Sequence, residues 1–254
     1  MDGFLLIDKP AGMTSHDVVN VIRKILSINC NLKAVSYNPP KVGHAGTLDP
    51  FATGLLILGV GKATKELGKL IGWNKEYEST LMLGATSDTF DKNGKITMIG
   101  RGEPMRSPSD RPEGRHMGLP LRDAIESVLN QFRGGYDQRA PIFSAKKIKG
   151  KKLYELARAG TATEAMRPIK RVTISSLRIT HYTFPLLQLN ITCSSGTYIR
   201  SLADDIGRAL NTGAYLIELR RTRIGHFSVE QAQTLEDMDK NGLKFLFLDK
   251  GSDP

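Results

Sequence analysis

The chain has 254 residues, enough for one large domain or two small ones with a substantial core. Its 36 lysines and arginines exceed its 26 aspartates and glutamates, which gives a formal net charge of +10. This excess favours a polyanionic partner such as nucleic acid, with simple solubility as the alternative. Two cysteines exclude a disulfide framework, and no apolar run is long enough to span a membrane, so we expect a cytoplasmic protein.

The first third of the chain predicts two buried strands and two helices. Residues 3–8 have the composition of a short buried strand that ends at a Lys-Pro pair. Residues 15–27 predict a helix, with Thr14 as its N-cap and an apolar stripe along one face. Residues 55–60 predict an apolar strand, followed by a short helix at 64–71.

The rest of the chain predicts mostly strands. Residues 91–119 contain scattered prolines without apolar periodicity, which indicates a flexible surface excursion. Residues 77–83, 172–181 and 187–193 have strand composition, and a helix with inward apolar residues follows Gly196-Thr197. Because strands outnumber possible crossover helices, we expect a mixed α/β (α+β) fold with a largely antiparallel central sheet flanked by helices, in a single domain over 1–254.

Two common kinds of site are absent from the sequence. The five histidines are widely spaced and none is paired with cysteine, so no metal site is predicted. The run Gly-Val-Gly-Lys-Ala-Thr at 59–64 looks like a phosphate loop, but Leu56 stands where the Walker pattern needs glycine. We interpret that run as a tight turn from strand to helix.

One loop is a better candidate for chemistry. Residues 43–54 contain three glycines and a proline around one carboxylate, Asp49, and one imidazole, His44. A lone aspartate in a turn is usually a turn former, and a catalytic role requires a partner that keeps it ionised and oriented. Arg200, at the start of the later helix, is a candidate partner, since arginine beside a carboxylate lowers its pKa. Its alternative is an ordinary solvated helix arginine.

Basic residues form three local clusters. Each cluster suits an RNA or DNA backbone, although solvated faces explain most charge runs. The clusters are Lys146, Lys147, Lys149, Lys151 and Lys152; Arg167, Lys170 and Arg171; and Arg220, Arg221 and Arg223.

Five blocks of sequence, in order from residue 3 to about residue 227, together resemble the TruB family of pseudouridine synthases. The opening strand with Lys9-Pro10 is similar to the family's N-terminal signature, and Gly43–Pro50 resembles its catalytic motif. The other three blocks are 75–91, 138–158, and 196–202 with 213–221.

The resemblance implies the pseudouridine synthase fold with an inserted thumb loop at 133–150. Many members of the family carry a C-terminal PUA domain, but only 22 residues follow Ala232, so we expect none here. It implies isomerisation of uridine to pseudouridine in RNA, most directly uridine 55 in the T-loop of tRNA. The partner would be the T-arm stem-loop, bound by a monomer without cofactor, metal or membrane. The implied catalytic residues are Asp49, Tyr77 and Arg200, and the implied substrate-binding residues are His44, Gly46, Thr47, Leu48, Leu219, Lys146, Lys147 and Lys149.

The chemistry of the reaction agrees with these residue types. One ionised carboxylate can act as a nucleophile on the sugar or as a base at the 2′ position, and the sequence leaves both routes open. An aromatic face such as that of Tyr77 can hold a base that has left the helical stack. The alternatives are the same isomerase acting on another RNA or in a guide-RNA complex, and a non-catalytic tRNA-binding or folding module.

Overall fold

The computed structural model describes residues 2–29, 40–99, 122–144, 146–148 and 150–247. Contacts group them into two compact units, formed by the described residues of 1–78 with 219–254 and of 79–218. Both boundaries fall inside strands, so no linker composition marks them in the sequence. The single-domain assignment stays a prediction.

Strands and helices are numbered here in chain order. Up to residue 99 they are β1 (Gly3–Lys9), α1 (Ser15–Asn29), β2 (Val42–His44), β3 (Thr53–Val60), the 3-10 helix η1 (Gly61–Lys65), α2 (Leu67–Gly72), β4 (Lys75–Leu83), β5 (Ala85–Ser87) and β6 (Ile96–Met98). From residue 122 they are α3 (Arg122–Asn130), β7 (Gly134–Arg139), β8 (Lys147–Ile148), β9 (Lys151–Lys152), α4 (Leu153–Arg158), η2 (Glu164–Met166), β10 (Ile169–Thr183), β11 (Leu186–Cys193), α5 (Ile199–Ala209), β12 (Ala214–Ile224), β13 (Phe227–Ser228), η3 (Val229–Gln231) and α6 (Leu235–Asn241).

The fold is mixed α/β with a large, mostly antiparallel sheet, as the sequence predicted. In the first unit the strand order is β1-β3-β12-β4, with β2 on β3 and β13 on β12. In the second unit β4 is followed by β11, β10 and β7. The β1–β3, β2–β3, β10–β11 and β10–β7 pairs are antiparallel, whereas β3 and β12 are parallel.

The central residues of strands β1 and β3, 4–7 and 55–58, are apolar because both faces of these strands are buried. One set of alternate residues packs with α2, and the other set packs with α1. The first core cluster includes Phe4, Leu6, Leu55, Ile57, Leu67 and Leu70. The second includes Leu5, Ile7, Val18, Ile22, Leu56 and Leu58. This double burial gives the loop between β2 and β3 a rigid base.

Helix α1 confirms the sequence prediction and extends it to Asn29. Thr14 caps it as expected, because its hydroxyl oxygen accepts from the Asp17 amide at 3.0 Å while the Asp17 carboxylate accepts from the Thr14 amide at 2.8 Å. The Thr14 hydroxyl also donates to the Asp17 carboxylate at 2.7 Å, and this hydrogen bond, followed by the one from the Thr14 amide, lowers the pKa of the Asp17 carboxyl. The predicted alternation of β11 is also confirmed, with Leu187, Leu189, Ile191 and Cys193 buried.

Two predicted loops contain regular structure. Within the predicted excursion 91–119, residues 96–98 form strand β6, which pairs with β5, and Asp91 is buried. The prediction of a flexible excursion is therefore wrong for residues 91–99. The sequence did not indicate this hairpin because strands as short as β5 and β6 need little apolar periodicity. Residues 100–119 lie outside the described residues.

The predicted thumb loop 133–150 is not a loop throughout. Its residues 134–139 form β7, which pairs with β10 from Gly134↔Ile174 to Arg139↔Ile169. An edge strand needs only one covered face, so a segment with two glycines and few apolar side chains still forms it. Within the described ranges, no helix combines the length and apolar character needed to cross a membrane.

Candidate active site

The loop over residues 45–52 carries Asp49 between β2 and β3, and it is closely tied to the fold. The Ser15 hydroxyl accepts a hydrogen bond from the Leu48 amide at 2.9 Å and donates to the Leu48 carbonyl at 3.2 Å. The Ala52 amide donates to the carbonyl oxygen of Asp49 at 3.1 Å, which closes a turn. Asp49 is therefore held on both sides, with its side chain half-buried.

A buried arginine supports this loop through three backbone carbonyl groups. Arg221, on β12, is 1% exposed and donates from Nε to the Leu55 carbonyl at 2.8 Å. Its Nη2 and Nη1 donate to the carbonyl oxygens of Gly46 and Thr47 at 3.1 and 3.4 Å. Gly54 makes the close strand approach possible, because an added Cβ would lie 2.3 Å from the Arg221 carbonyl oxygen. The guanidinium thus fixes both ends of the Asp49 loop.

A second buried cation, Lys9, lies at the end of β1. Its ammonium group donates to two nearby backbone carbonyls at 2.7 Å each and to the Pro50 carbonyl at 3.4 Å. Burial lowers the pKa of Lys9 to about 8, while the charge of Asp49 raises it and the charge of Arg221 lowers it. At neutral pH the Asp49 carboxylate therefore lies within electrostatic reach of a buried positive charge.

The other predicted site residues of the first unit are mostly buried. Tyr77 on β4 and Leu219 on β12 are 8% and 7% exposed. His44 is half-buried at the end of β2, and its Nδ1 is buried without a hydrogen-bond partner in the part of the chain that the structure describes. Burial is the largest cause that lowers the pKa of His44 below its ordinary value, and the charge of Arg221 lowers it further. The neutral form of the imidazole is therefore favoured at pH 7. Gly46, Thr47 and Leu48 belong to the Asp49 loop itself.

Arg200 belongs to the second unit and is not a solvated helix arginine. It is 5% exposed, and its Nη1 and Nη2 donate to the carbonyl oxygens of Thr89 and Phe143 at 2.9 and 3.0 Å. Its Nη1 lies 3.5 Å from Oδ2 of Asp91, a carboxylate that the sequence analysis did not consider as a partner. The predicted pairing of Arg200 with Asp49 stays a prediction.

The start of α5 is fixed to β7 just before Arg200. Gln138 accepts a hydrogen bond from the Tyr198 amide at 2.8 Å and donates to the Tyr198 carbonyl at 3.0 Å. The Ser201 hydroxyl donates to the Arg139 carbonyl at 2.8 Å. These hydrogen bonds bracket Arg200 in sequence, so its backbone is positioned independently of its own side-chain contacts.

The predicted RNA-contacting lysines are described only in part. Lys146 is exposed, as is Lys151. Lys147 lies in β8, and Lys149 lies outside the described residues. The structure is therefore consistent with a solvated positive surface at Lys146, and the RNA contacts stay predictions.

The other two basic clusters are partly structural. Arg167 and Arg221 are buried, and Arg220 forms a bidentate pair with Asp8 at 2.7 and 3.0 Å. Lys170 and Arg171 are exposed. The net charge thus overstates how much positive surface the three clusters offer to a polyanion.

No group of three or more His, Cys, Asp or Glu side chains is placed to hold a metal ion within the ranges that the structure describes. The loop that carries Asp49 is instead held by two buried cations, which donate to its backbone carbonyls. These groups can fix the position of one carboxylate and place positive charge within electrostatic reach of it.

Comparison with known proteins places the chain in a family. Residues 33–199 match the family model described as the TruB family pseudouridylate synthase N-terminal domain. Residues 200–244 match the model of the tRNA pseudouridylate synthase B C-terminal domain. The chain belongs to the TruB family of pseudouridylate synthases.

Curated relatives of this TruB family member match over nearly all of its length. A protein of Azoarcus sp. (strain BH72) is 43% identical over 239 residues, which cover 94% of this chain and 70% of the relative. A protein of Chlamydia abortus is 41% identical over 231 residues, which cover 91% of this chain and 86% of the relative. Both relatives are named tRNA pseudouridine synthase B.

Solved structures agree with the family assignment. A Cbf5-Nop10-Gar1 complex matches with a TM-score of 0.65 and 30% identity, over 94% of this chain and 54% of the other. An H/ACA RNP bound to a substrate RNA containing 2′-deoxyuridine matches with a TM-score of 0.62 and 27% identity, over 95% and 56%. The TruB family member thus spans about half the length of these two chains, and the pseudouridine synthase fold is confirmed.

Sequence reasoning did not assign Lys9, Arg221 or Asp91 to the site of this TruB family member. A signal for Arg221 was present, since it lies two residues after Leu219 on a strand and so shares its face. Lys9 is the last residue of β1, two residues after the apolar run at 4–7, which is an unusual place for a solvated lysine. Asp91 ends the block at 75–91 that resembles the family, but it was given no role because the residues after it looked like a loop.

Proposed function

We propose that this TruB family member isomerises uridine to pseudouridine in tRNA, at uridine 55 of the T-loop. The names of its curated relatives support tRNA as the substrate. The observation that carries the proposal is the frame of Asp49, a single carboxylate on a loop supported by buried Lys9 and Arg221. The runner-up is the same reaction on another RNA.

The reaction breaks the glycosidic bond between C1′ and N1, turns the base, and joins C1′ to C5. N1 gains a proton and C5 loses its hydrogen, so no electrons or atoms are exchanged with a third molecule. In one route the Asp49 carboxylate attacks C1′, and in the other it removes the 2′ proton. Either role needs an ionised, fixed carboxylate, and the hydrogen-bonded loop supports both.

The other site residues have complementary roles in this proposal. Arg200 pairs with the carboxylate, and Tyr77 lies against the base after it leaves the stack. Neutral His44 and apolar Leu219 line the space beside the flipped nucleotide. Gly46, Thr47 and Leu48 hold the loop, while Lys146, Lys147 and Lys149 contact RNA phosphates in the T-arm. We further propose that the protein acts as a monomer in the cytoplasm.

The test uses an unmodified tRNA transcript and a matched transcript whose T-loop uridine is replaced by cytidine. Carbodiimide mapping after incubation with the protein should detect one new pseudouridine, at the T-loop position, in the first transcript and none in the second. Pseudouridine that forms in neither transcript but in another cellular RNA selects the runner-up. Specific binding to both transcripts with no pseudouridine in either one, or in cellular RNA, contradicts an enzyme and favours a tRNA-binding module.

A further inference from the structure

Arg167 is a buried arginine that the proposed reaction does not use. It lies between η2 and β10 and is 6% exposed. Its Nε donates to the Ala140 carbonyl at 2.7 Å, and its guanidinium carbon lies 5.1 Å from the centre of the Phe90 ring. Burying a cation costs free energy unless hydrogen bonds and opposite charges compensate for its lost hydration, so the contacts of Arg167 are part of what stabilises it.

The two segments that Arg167 contacts are the ones that hold the guanidinium of Arg200. Thr89 and Asp91, which accept the hydrogen bond and the ion pair of Arg200, lie on either side of Phe90. Phe143, whose carbonyl accepts from Arg200 Nη2, follows Ala140 by three residues. Arg167 therefore contacts both segments whose oxygen atoms accept from Arg200, through the Phe90 ring in one and the Ala140 carbonyl in the other.

Phe90 needs this support because its backbone is strained. Its φ of +63° lies in the left-handed region, which is unfavourable for a residue with a Cβ. The Phe90 amide donates to Ser87 at 3.0 Å and its carbonyl accepts from Leu216 at 3.0 Å. The stacked guanidinium of Arg167 adds a side-chain contact to these backbone bonds.

Arg167 is also electrostatically coupled to the helix that carries Arg200. Burial raises the pKa of Asp205, in α5, to about 6, and the nearby carboxylate of Asp204 raises it further. The positive charges of Arg208 and Arg167 act in the opposite direction. The Arg167 charge thus favours the ionised form of a carboxyl group on the helix of Arg200.

We propose that Arg167 is a positioning residue for Arg200, which clamps the Thr89–Asp91 turn and the Ala140–Phe143 segment so that their acceptors stay aligned with the Arg200 guanidinium. The proposal rests on the role of Arg200 in the proposed function. Loss of the clamp misplaces Arg200 without removing a group that contacts RNA, so it lowers kcat and leaves KM unchanged.

The test compares Arg167→Lys and Phe90→Leu with the full-length wild type, using an unmodified tRNA transcript. Lysine keeps the charge but lacks the flat guanidinium face, and leucine removes the ring that it stacks on. Arg208→Lys, the same change at an exposed arginine of α5, is the matched control. We expect kcat to fall at least about tenfold in both test variants, with KM and the RNA Kd within about twofold of wild type. The control should keep the wild-type kcat.

A double variant separates positioning from a merely structural role. In an Arg200→Lys background, adding Arg167→Lys should lower kcat by less than about twofold, because the residue being positioned has already changed. A full additional loss in that background overturns the proposal. So does a wild-type kcat for Arg167→Lys below its unfolding temperature, or a loss that lies entirely in RNA binding. A wild-type kcat for Arg200→Lys alone contradicts the role of Arg200 in the proposed function, whatever Arg167 does.

Discussion

Arg200 and Asp91 form a buried ion pair, in which Nη1 and Oδ2 are 3.5 Å apart and the two side chains are 6% and 8% exposed. The Asp91 carboxylate also accepts from the Thr89 hydroxyl at 2.8 Å and from the Asn93 amide at 2.9 Å. A pair as buried as this one leaves an uncompensated charge when either partner is removed. Asp91 therefore compensates the buried charge of Arg200 and helps to fix the orientation of its guanidinium group.

Asp91→Asn should lower the free energy of unfolding by about 3 kcal/mol, because the Arg200 charge then stays buried without its carboxylate. Urea unfolding measures the loss. Asp137→Asn is the control, since its pair with Arg171 is also 3.5 Å long but its two side chains are 62% and 67% exposed. That variant should change stability by less than about 1 kcal/mol. Equal losses in the two variants would show that burial of the Arg200 pair has no energetic effect.

Gly54→Ala should lower the free energy of unfolding by about 3 kcal/mol, because φ at this position is +98° and the new Cβ meets the backbone of Arg221 at 2.3 Å. Gly68→Ala is the matched control, because Gly68 lies in α2 with open space around it. There, alanine should stabilise the helix by up to about 1 kcal/mol. Urea unfolding measures the free energy of unfolding of both variants. A wild-type value for Gly54→Ala contradicts the close approach of β3 and β12.

The stability of the protein should depend on the protonation of Lys9. Burial lowers its pKa to about 8 from the ordinary 10.5, so between these pH values the unfolded chain binds a proton that folded Lys9 has released. Stability rises with pH wherever the unfolded state binds more protons. We therefore expect the stability of wild type, relative to Lys9→Met, to increase from about pH 8 to about pH 10.5. Urea unfolding of both proteins across this range measures how the free energy of unfolding changes with pH. Parallel pH profiles of the two proteins would contradict a lowered pKa of Lys9.

The lysine cluster at 146–152 should contribute to RNA affinity through phosphate contacts. Replacing the exposed Lys146 and Lys151 by alanine should weaken tRNA binding and reduce the slope of log K against log salt by about 1 per lost contact. Filter binding at several salt concentrations measures both quantities. Lys240→Ala, in α6 beside Glu236, is the control and should leave the slope unchanged. An unchanged slope in the double variant removes this cluster from the interface.

The sequence predicted the strands and helices that have strong periodicity. Helix α1 and strand β11 were predicted because each buries one regular face, and β1 and β3 because both of their faces are apolar. Strands β6 and β7 were missed. Each is short or at an edge, and its stability comes from pairing with a neighbour rather than from its own side chains.

In the candidate site, too, some residues could be predicted from the sequence and others could not. Asp49 could be singled out because glycines and proline surround it, and Arg200 because it starts a periodic helix. The residues that support the Asp49 loop were harder to assign, since Lys9 and Arg221 contact backbone carbonyls, and no residue type marks a backbone carbonyl as a partner. Composition also misled, because Arg167 and Arg221 counted toward a basic surface although both are buried.

The role of Asp49 is tested most directly by comparing Asp49→Asn with wild type on one unmodified tRNA transcript, under conditions where all of the RNA is bound. Asparagine keeps the size of the side chain but carries no charge and cannot act as a nucleophile or a base in this reaction. We expect the variant to bind the transcript with the wild-type Kd and to form no pseudouridine. Pseudouridine formed by Asp49→Asn at the wild-type rate contradicts the account.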